Sequence, residues 1–345
     1  MVAINSNGKG ESRVRRAVIS SLAASALMAG CGGGSSSGPA PQPIATATPT
    51  PTPTTATGSW QLVWSDEFDG TTLDPANWTA SNDCWGGGNE ERQCYTPRPE
   101  NVRLENGTLV LTARSEQWTG PAWPASFGPG GVDPNEQRSK PYTSGKVTSE
   151  NLASWTYGRF EIRARFPQGQ GMWPAIWMLP EESHYGSWAA SGEIDILETV
   201  NPGVTCPGCE AGGENSIYGT LHFGGQWPDN ANRGTDLSFP GLIDGEFHTY
   251  GIVWEQGRII WTVDGEAFAS MTSADWFTSA TTAPDAPFDR AFHLILNLAV
   301  GGRWPESQGL GGVSDSGFPK RMEVDWVRVY ECDADPATGR GCVGE

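Results

Sequence analysis

The chain has 345 residues and a formal net charge of -18, which argues against nucleic acid as a partner. Its 45 glycines, 26 prolines and 16 tryptophans, with only 18% charged residues, indicate a turn-rich β protein with many aromatic surfaces. Length alone allows one large domain or two ordinary ones.

Residues 1–30 have the pattern of a signal peptide: a basic start is followed by an apolar run of about fourteen residues, too short to span a bilayer. The run ends in LMAGC at Cys31, which resembles a bacterial lipobox, where the cysteine is lipidated and becomes the new N-terminus. Cleavage near Ala29 or Gly30 with a free Cys31 is the alternative. We expect an exported bacterial lipoprotein, held by a lipid anchor at the outer membrane or cell surface.

Residues 31–58 form a linker that is rich first in Gly and Ser and then in alternating Pro and Thr. Such a composition cannot build a core, and the prolines keep the chain semi-extended, so we expect a tether. The folded domain is expected over residues 59–345, beginning with an alternating apolar strand at 59–68.

Short strand candidates, divided by Gly, Pro, Asn and Asp, continue to Tyr330. Hairpin signals stand at 105–107 and 264–265, and neither an internal repeat nor a βαβ alternation is evident. We therefore predict one all-β domain, an antiparallel β-sandwich of the jelly-roll type. The strand candidates are 102–105, 108–114, 158–166, 173–179, 193–199, 218–223, 248–254, 258–263, 293–300 and 321–330.

Six of the seven cysteines form close pairs, which in an exported protein predicts three local disulfides. The pairs are Cys84 with Cys94, Cys206 with Cys209, and Cys332 with Cys342. A zinc site at 206–209 is the alternative for the second pair, although no second ligand pair lies nearby. Cys31 is left without a partner, in agreement with its lipidation.

The stretch from Gln117 to Pro141 is rich in Gly and Pro and carries two tryptophans. We expect a structureless loop here, and a loop of this length inside a compact domain is often a binding loop. Surface decoration without a binding role is the alternative.

The segment SGEIDILETV at 191–200 places Glu193, Asp195 and Glu198 in an otherwise aliphatic strand. Alternation puts Glu193 and Asp195 on one face but would turn Glu198 into the core, where an unpaired carboxylate costs several kcal/mol. One extra residue at Ile196-Leu197 would return Glu198 to the face of the other two acids. The sequence therefore predicts a β-bulge at this point.

Three carboxyls on one strand face repel one another and do not stabilise the fold. Their grouping therefore indicates a catalytic role on a substrate. Cleavage of a glycosidic bond needs two carboxyls, one that attacks the anomeric carbon and one that protonates the leaving oxygen. Asp195 between them would raise the pKa of a neighbour and hold the nucleophile through a shared proton. The alternative is a solvated acidic edge strand that discourages edge-to-edge pairing.

Aromatic and imidazole side chains are expected beside the acids. Trp173 and Trp177 are four residues apart on the strand before the acids, so they share a face on which sugar rings could stack. His222 lies on the next strand candidate, where it could donate to an acid or to a sugar. Packing in the core is the alternative for all three side chains.

These motifs resemble glycoside hydrolase family 16, in particular the laminarinase-type endo-1,3-β-glucanases. GEIDILE has the family's ExDxxE form, and the resemblance covers residues 60–331, nearly all of the expected folded part. The other matching segments are WSDEFDG at 64–70, GNEERQCYT at 88–96, YGRFEIRARFP at 157–167, GMWPAIWMLP at 171–180, YGTLHFG at 218–224, HTYGIVWEQGRIIWTVDG at 248–265, LNLAVGGRWP at 296–305 and VDWVRVY at 324–330.

The resemblance implies a concave jelly-roll cleft and retention of anomeric configuration, with Glu193 as nucleophile, Glu198 as acid/base and Asp195 as helper. It places Trp173 and Trp177 at sugars on the non-reducing side. Further substrate contacts are implied at Asn89, His222 and Trp304, and at Lys146, which stands where many relatives carry Arg, a substitution that weakens a bidentate contact.

The resemblance implies no cofactor for catalysis but a structural calcium ion, with matching positions at Glu67, Gly107 and Asp325. An Asp325 that caps a turn is the alternative. The expected function is hydrolysis of 1,3-β-glucan by a monomer. Mixed-linkage 1,3-1,4-β-glucan or a marine galactan is the alternative substrate, and a non-hydrolytic glucan-binding lipoprotein is a further one.

Overall fold

The computed structural model describes residues 57–127, 132–205, 214–239, 241–243, 245–307 and 312–343. The predicted signal peptide, Cys31, the linker up to residue 56 and the Cys206–Cys209 pair lie outside these residues. Within them the regular structure is almost entirely strand, with one 3-10 turn at Ala125–Phe127 and one α-helix, α1, at Arg303–Ser307. No helix of the described part is long and apolar enough to cross a membrane.

Seventeen strands follow one another along the described chain. They are β1 (Trp60–Asp66), β2 (Thr79–Ala80), β3 (Gln93–Tyr95), β4 (Val102–Glu105), β5 (Thr108–Pro121), β6 (Gln137–Ser144), β7 (Lys146–Thr148), β8 (Gly158–Arg165), β9 (Met172–Pro180), β10 (Glu193–Glu198), β11 (Ser216–Gly224), β12 (Asn230–Ser238), β13 (His248–Glu255), β14 (Arg258–Val263), β15 (Glu266–Thr272), β16 (Phe292–Val300) and β17 (Lys320–Cys332).

The strands form two sheets that enclose one hydrophobic core. One sheet has the order β15-β14-β13-β8-β17-β5-β6-β3, with β1 beside β17 and β4 beside β5. The other has the order β12-β11-β10-β9-β16-β7-β2. Except for the parallel pair β3 and β6, the paired strands are antiparallel, so the predicted antiparallel sandwich is confirmed.

Alternation of side chains decides which face of each strand joins the core. On β8, Phe160, Ile162 and Ala164 are buried while the intervening residues are partly exposed. On β11, Leu221 and Phe223 enter the core, and His222 between them faces the other side of the sheet. That other side of the β10-β11 region carries the acids.

The predicted strands and hairpin turns are present. Asn106 and Gly107 both have positive φ, as do Asp264 and Gly265, which is the backbone twist that two-residue hairpin turns require. Disulfides join Cys84 to Cys94 and Cys332 to Cys342, as predicted. The backbone N–H groups of residues 57 and 58, assigned to the linker, donate to the carbonyl of Gly341.

The expectation of a structureless loop from Gln117 to Pro141 was wrong at both ends of the stretch. Strands β5 and β6 extend into this stretch and pair from Trp118 with Lys140 to Pro121 with Gln137. The glycines and prolines of this stretch interrupt the apolar alternation from which strands are predicted. The backbone hydrogen bonds that pair the two strands do not depend on that alternation. The stretch is thus the tip of a long hairpin.

Candidate active site

Glu193, Asp195 and Glu198 share one face of β10 because the strand contains a β-bulge. The register of β10 shifts between Asp195 and Leu197 against β9, and between Asp195 and Glu198 against β11. The bulge predicted at Ile196-Leu197 is thereby confirmed. The aliphatic side chains of this strand are buried in the core: Ile194, Ile196 and Leu197.

Glu193 lies in a polar cluster at one end of this row. Its Oε2 accepts a hydrogen bond of 2.8 Å from the indole N–H of Trp188. His222 Nε2 is 3.5 Å from Glu193 Oε1 and 3.2 Å from Asp195 Oδ2. Asp195 is 2% exposed, and its Oδ2 has no well-aligned hydrogen bond among the described residues.

Glu198 lies at the other end and contacts an aromatic wall. Its Oε1 accepts a hydrogen bond of 2.9 Å from the indole N–H of Trp173. The Trp173 ring packs edge-on against Trp304 of α1 at 5.5 Å, and Trp304 packs against Tyr218 at 5.1 Å. Trp173 is buried in a small hydrophobic cluster with Val200 and Ala299, separate from the main core.

The wall continues along β9 and β16. Trp177 shares the face of Trp173, and its indole N–H donates to Asn297 Oδ1 at 2.7 Å. The Lys146 ammonium lies 5.4 Å from the centroid of Trp177 and 5.7 Å from that of Tyr95, within the range of cation–π attraction. Lys146 therefore borders the same surface as the tryptophans, where it was predicted.

Asn89 lies in a tight turn at the edge of this surface. Its carbonyl oxygen accepts a hydrogen bond of 2.8 Å from the Arg303 N–H, immediately before Trp304. The Cys84–Cys94 disulfide closes the loop that contains this turn. The predicted contacts thus come from five separate parts of the chain and meet on one face: Asn89, Lys146, Trp173, Trp177, His222 and Trp304.

Burial and like charge hold protons on the three acids. Burial, followed by the charge of Asp195, raises the pKa of Glu193 to about 8, although His222 and the Trp188 N–H oppose the shift. Burial raises the pKa of Asp195 to about 8. Burial, then Asp195, raises the pKa of Glu198 to about 8 against the Trp173 N–H. Because the charge of Asp195 raises the pKa of both glutamates, the three acids do not titrate independently.

The structure also includes site residues that the sequence analysis missed. Trp188 and Asn297 contact site side chains directly, and Tyr218 extends the aromatic wall. Glu91 is buried near Glu198 and raises the pKa of that carboxyl by like charge. Two of these had a signal in the sequence: Asn297 is a polar residue in an aliphatic run, and Tyr218 alternates in phase with His222.

The side chains proposed for calcium do not fit an ion in this arrangement. Glu67 is paired with Arg328 at 2.9 and 2.8 Å, and the hydrogen bond from Arg328 lowers the pKa of Glu67. Asp325 is paired with Arg163 at 2.5 Å. Gly107, at the turn between β4 and β5, offers only backbone. Calcium binding therefore stays a prediction without support from these contacts.

Ligand atoms of Glu193, Asp195 and His222 lie within 4.8 Å of one another. Such spacing would also admit a metal ion, although the resemblance implies none for catalysis. Two carboxyls beside a groove walled by indoles instead suit a neutral, hydroxyl-rich substrate.

Comparison with known proteins decides the family. The model of the β-porphyranase A-D GH16 domain matches residues 60–332. The chain belongs to glycoside hydrolase family 16. Membership of family 16 agrees with the motifs, with the jelly-roll sandwich and with the expectation of a glycoside hydrolase.

Family 16 relatives of the chain include several glucanases. Glucan endo-1,3-beta-glucosidase A1 of Niallia circulans is 42% identical over 80% of this chain, which spans 38% of that protein's length. The beta-glucanase of Rhodothermus marinus is 40% identical over 79% of this chain and 85% of its own length. The X-ray structure of the Rhodothermus marinus laminarinase superposes with a TM-score of 0.64 and 37% identity, covering 80% of this chain and 99% of that one.

Proposed function

We propose that this family 16 chain is a retaining endo-hydrolase of 1,3-β-glucan. The observation that carries the proposal is the bulge in β10, because it presents Glu193 and Glu198 on one face with different partners. The names of the similar Niallia and Rhodothermus proteins support the substrate. The aromatic wall of Trp173, Trp177 and Trp304 supports a carbohydrate chain as the ligand.

In the proposed mechanism Glu193 attacks the anomeric carbon, while Glu198 gives its proton to the departing glycosidic oxygen. A glycosyl–enzyme ester forms and the aglycone leaves. Glu198 then takes a proton from water, whose oxygen attacks the anomeric carbon. The bond between that carbon and the Glu193 oxygen breaks, so the sugar leaves with retained configuration and Glu193 is restored as a carboxylate. Asp195, buried between the two, holds the Glu193 carboxyl through a shared proton.

The surroundings of the acids fit this division of roles. A general acid must keep its proton near neutral pH, and burial with the charge of Asp195 raises the pKa of Glu198 to about 8. A nucleophile must be ionised. His222 and an indole N–H favour the charged form of both glutamates, but the Trp188 N–H and His222 Nε2 both lie directly beside Glu193, at 2.8 and 3.5 Å. We therefore assign the shared negative charge to Glu193.

Substitution of the nucleophile tests the mechanism. Glu193→Gln keeps the shape of the side chain but removes the attacking oxygen anion, so hydrolysis of laminarin should fall by at least about a thousandfold. Binding of laminarin, measured by affinity electrophoresis, should remain. Substantial residual hydrolysis by the Glu193→Gln variant would contradict the assignment of Glu193 as the nucleophile. If the wild type bound laminarin but did not hydrolyse it, the glucan-binding alternative would be favoured.

A galactan is the second candidate substrate, because the family model that matches the chain carries the name β-porphyranase. A reducing-sugar assay on laminarin, lichenan, porphyran, agar and carrageenan separates the candidates. We expect release of reducing ends from laminarin above all others. Preferential cleavage of porphyran or of lichenan would replace 1,3-β-glucan as the substrate and leave the roles of the acids unchanged.

We further propose that a lipid on Cys31 anchors the enzyme to the bacterial envelope, as the lipobox-like sequence suggests. Expression of the full chain in a bacterium with lipoprotein processing should place the wild type in the membrane fraction, and Cys31→Ala should move it to the soluble fraction. Equal distribution of the two proteins would contradict the anchor.

A further inference from the structure

An aromatic cluster at the tip of the β5-β6 hairpin has no part in the mechanism above. Trp85 meets Phe127 edge-on at 4.8 Å between ring centroids, and Trp123 stacks on Phe127 at 6.0 Å with 27° between planes. Phe127 is 41% exposed, and the two tryptophans are partly exposed. Exposed aromatic side chains that gather in one patch commonly mark a binding surface.

Polar contacts hold this cluster in place. The Arg138 guanidinium lies 5.0 Å from the Trp123 centroid, and its Nη1 donates to the Trp85 carbonyl at 3.3 Å. The Trp123 indole N–H donates to Glu136 Oε2 at 2.8 Å. Glu136 also forms an ion pair with Arg138. The rings are therefore fixed before any ligand arrives, which lowers the entropy lost on binding.

The cluster is continuous with the candidate active site. The Trp85 ring lies beside Gly88, with Cζ2 at 3.7 Å from the position that a β-carbon on Gly88 would occupy. The next residue, Asn89, lies against Gly302. A β-carbon added to Gly302 would be 3.1 Å from the Asn89 carbonyl oxygen and 3.4 Å from the Trp173 ring. A surface thus runs from Trp173 past Asn89 to Trp85.

The loop and the hairpin also form one unit. The Cys84 N–H donates to the Pro121 carbonyl at 2.7 Å, and the Lys140 ammonium donates to the Glu91 carbonyl. With the Cys84–Cys94 disulfide, these bonds tie the tip of the hairpin to the turn that carries Asn89. The position of the aromatic cluster relative to the cleft is consequently set by covalent and hydrogen bonds.

We propose that Trp85, Trp123 and Phe127 form a distal subsite, which binds a sugar residue of the substrate chain beyond those contacted at Trp173 and Asn89. The occupant follows from continuity with the cleft, since a polysaccharide that leaves Trp173 on this side meets the cluster next. Aromatic rings suit the apolar faces of pyranoses, and Glu136 and Arg138 offer partners for hydroxyls. The distal subsite rests on the proposed function in one respect, namely that the substrate is a polysaccharide chain.

The distal subsite should make catalysis depend on chain length. We would measure kcat/KM for the wild type, Phe127→Ala and Trp123→Ala on oligosaccharides of increasing length, made from whichever polysaccharide of the panel the wild type cleaves. Each variant should lose about three- to tenfold on chains long enough to reach the cluster, the range for one aromatic contact, and nothing on the shortest cleaved substrate.

Phe277→Ala is the matched control, because Phe277 is also exposed, at 55%, but packs on Phe223 of the core. It should leave the dependence on length unchanged. An equal loss at every length, or no loss in a Phe127→Ala variant whose thermal midpoint matches the wild type, would overturn the subsite. A wild type that cleaves none of the panel overturns the proposed function instead.

Discussion

Glu193 and Glu198 each accept a hydrogen bond from an indole N–H, and the two donors belong to different tryptophans, so the two carboxyls can be perturbed one at a time. Trp188 donates to Glu193, and Trp173 donates to Glu198. Each bond stabilises the charged form of its acceptor and opposes the rise in pKa that burial causes. Asp195, between them, adds like charge to both.

Removing one indole N–H at a time should move one limb of the pH profile at a time. In Trp188→Phe the pKa of Glu193 should rise further, so the acid limb of kcat/KM moves to higher pH. In Trp173→Phe the pKa of Glu198 should rise, so the alkaline limb, expected near pH 8 in the wild type, moves upward. Each shift should be about one pH unit.

The limb that stays in place serves as the internal control for each variant. Measurements of kcat/KM from pH 4 to 10 report ionisations of the free enzyme. If Trp188→Phe moved the alkaline limb and Trp173→Phe the acid limb, the roles assigned to the two glutamates would have to be exchanged.

At the scale of the element, the bulge in β10 reconciles a buried aliphatic face with a row of acids. Leu197 pairs with Ile176 and is fully buried, while Glu198 pairs with Ala175 and stays on the open face. If Leu197 were absent, the acids would have the shorter spacing ExDxE. Simple alternation would then keep all three on the same face of the strand. The bulge therefore adds a core side chain without changing the face of Glu198.

Deletion of one residue tests this account of the strand. Deleting Leu197 removes the bulge but leaves the three acids in phase, so hydrolysis should persist within about tenfold of wild type. The loss of one buried leucine should lower the free energy of unfolding by about 2–5 kcal/mol. The measurements are laminarin hydrolysis and urea unfolding.

Deleting Ile194 is the matched control, because it also removes one buried aliphatic residue from β10 but turns Glu193 to the opposite face. Its activity should fall by at least about a thousandfold. A folded Leu197 deletion as inactive as the Ile194 deletion would show that the bulge positions Glu198 in some further way.

At the scale of the whole molecule, the acids reduce stability at the pH where they work. Asp195 is 2% exposed, and burial raises its pKa to about 8. The unfolded chain releases this proton near pH 4, whereas the folded protein keeps it until about pH 8. The free energy of unfolding contributed by this group is fully present below pH 4 and is lost as the pH rises towards 8.

Asp195→Asn should therefore stabilise the protein at high pH. The difference in free energy of unfolding between variant and wild type should grow from pH 4 to pH 8, reach on the order of 1 kcal/mol or more, and stay level above pH 8. Urea unfolding at several pH values provides the measurement. A difference that does not vary with pH would show that Asp195 has an ordinary pKa in the folded protein.

Glu105 offers a control of opposite sign. The hydrogen bond and charge of Arg103 lower its pKa, so its contribution to stability is present at neutral pH and lost as the pH falls below about 4. Glu105→Gln should make the protein slightly less stable at neutral pH and equal to the wild type in acid. Both variants together test the sign of the linkage.

Much of the fold and the row of acids followed from the sequence, because local rules determine both. Alternation predicted β8 and β11, and the Asn106-Gly107 turn predicted a hairpin. The bulge was deduced from the energy of burying one carboxylate. Strands without apolar alternation, such as β12 with its sequence NANRGTDLS, gave no such signal and were missed.

Local rules of strand geometry establish which residues face the open side of the acid-bearing strand, because the period of a strand and the burial of aliphatic side chains act over neighbouring residues. What lies beside these residues depends on segments that meet only in the folded protein. Asn297 at Trp177, Trp304 behind Trp173, and the turn of Asn89 against Gly302 come from segments far apart in the chain. Their meeting depends on how two sheets and their loops pack, which no local period encodes.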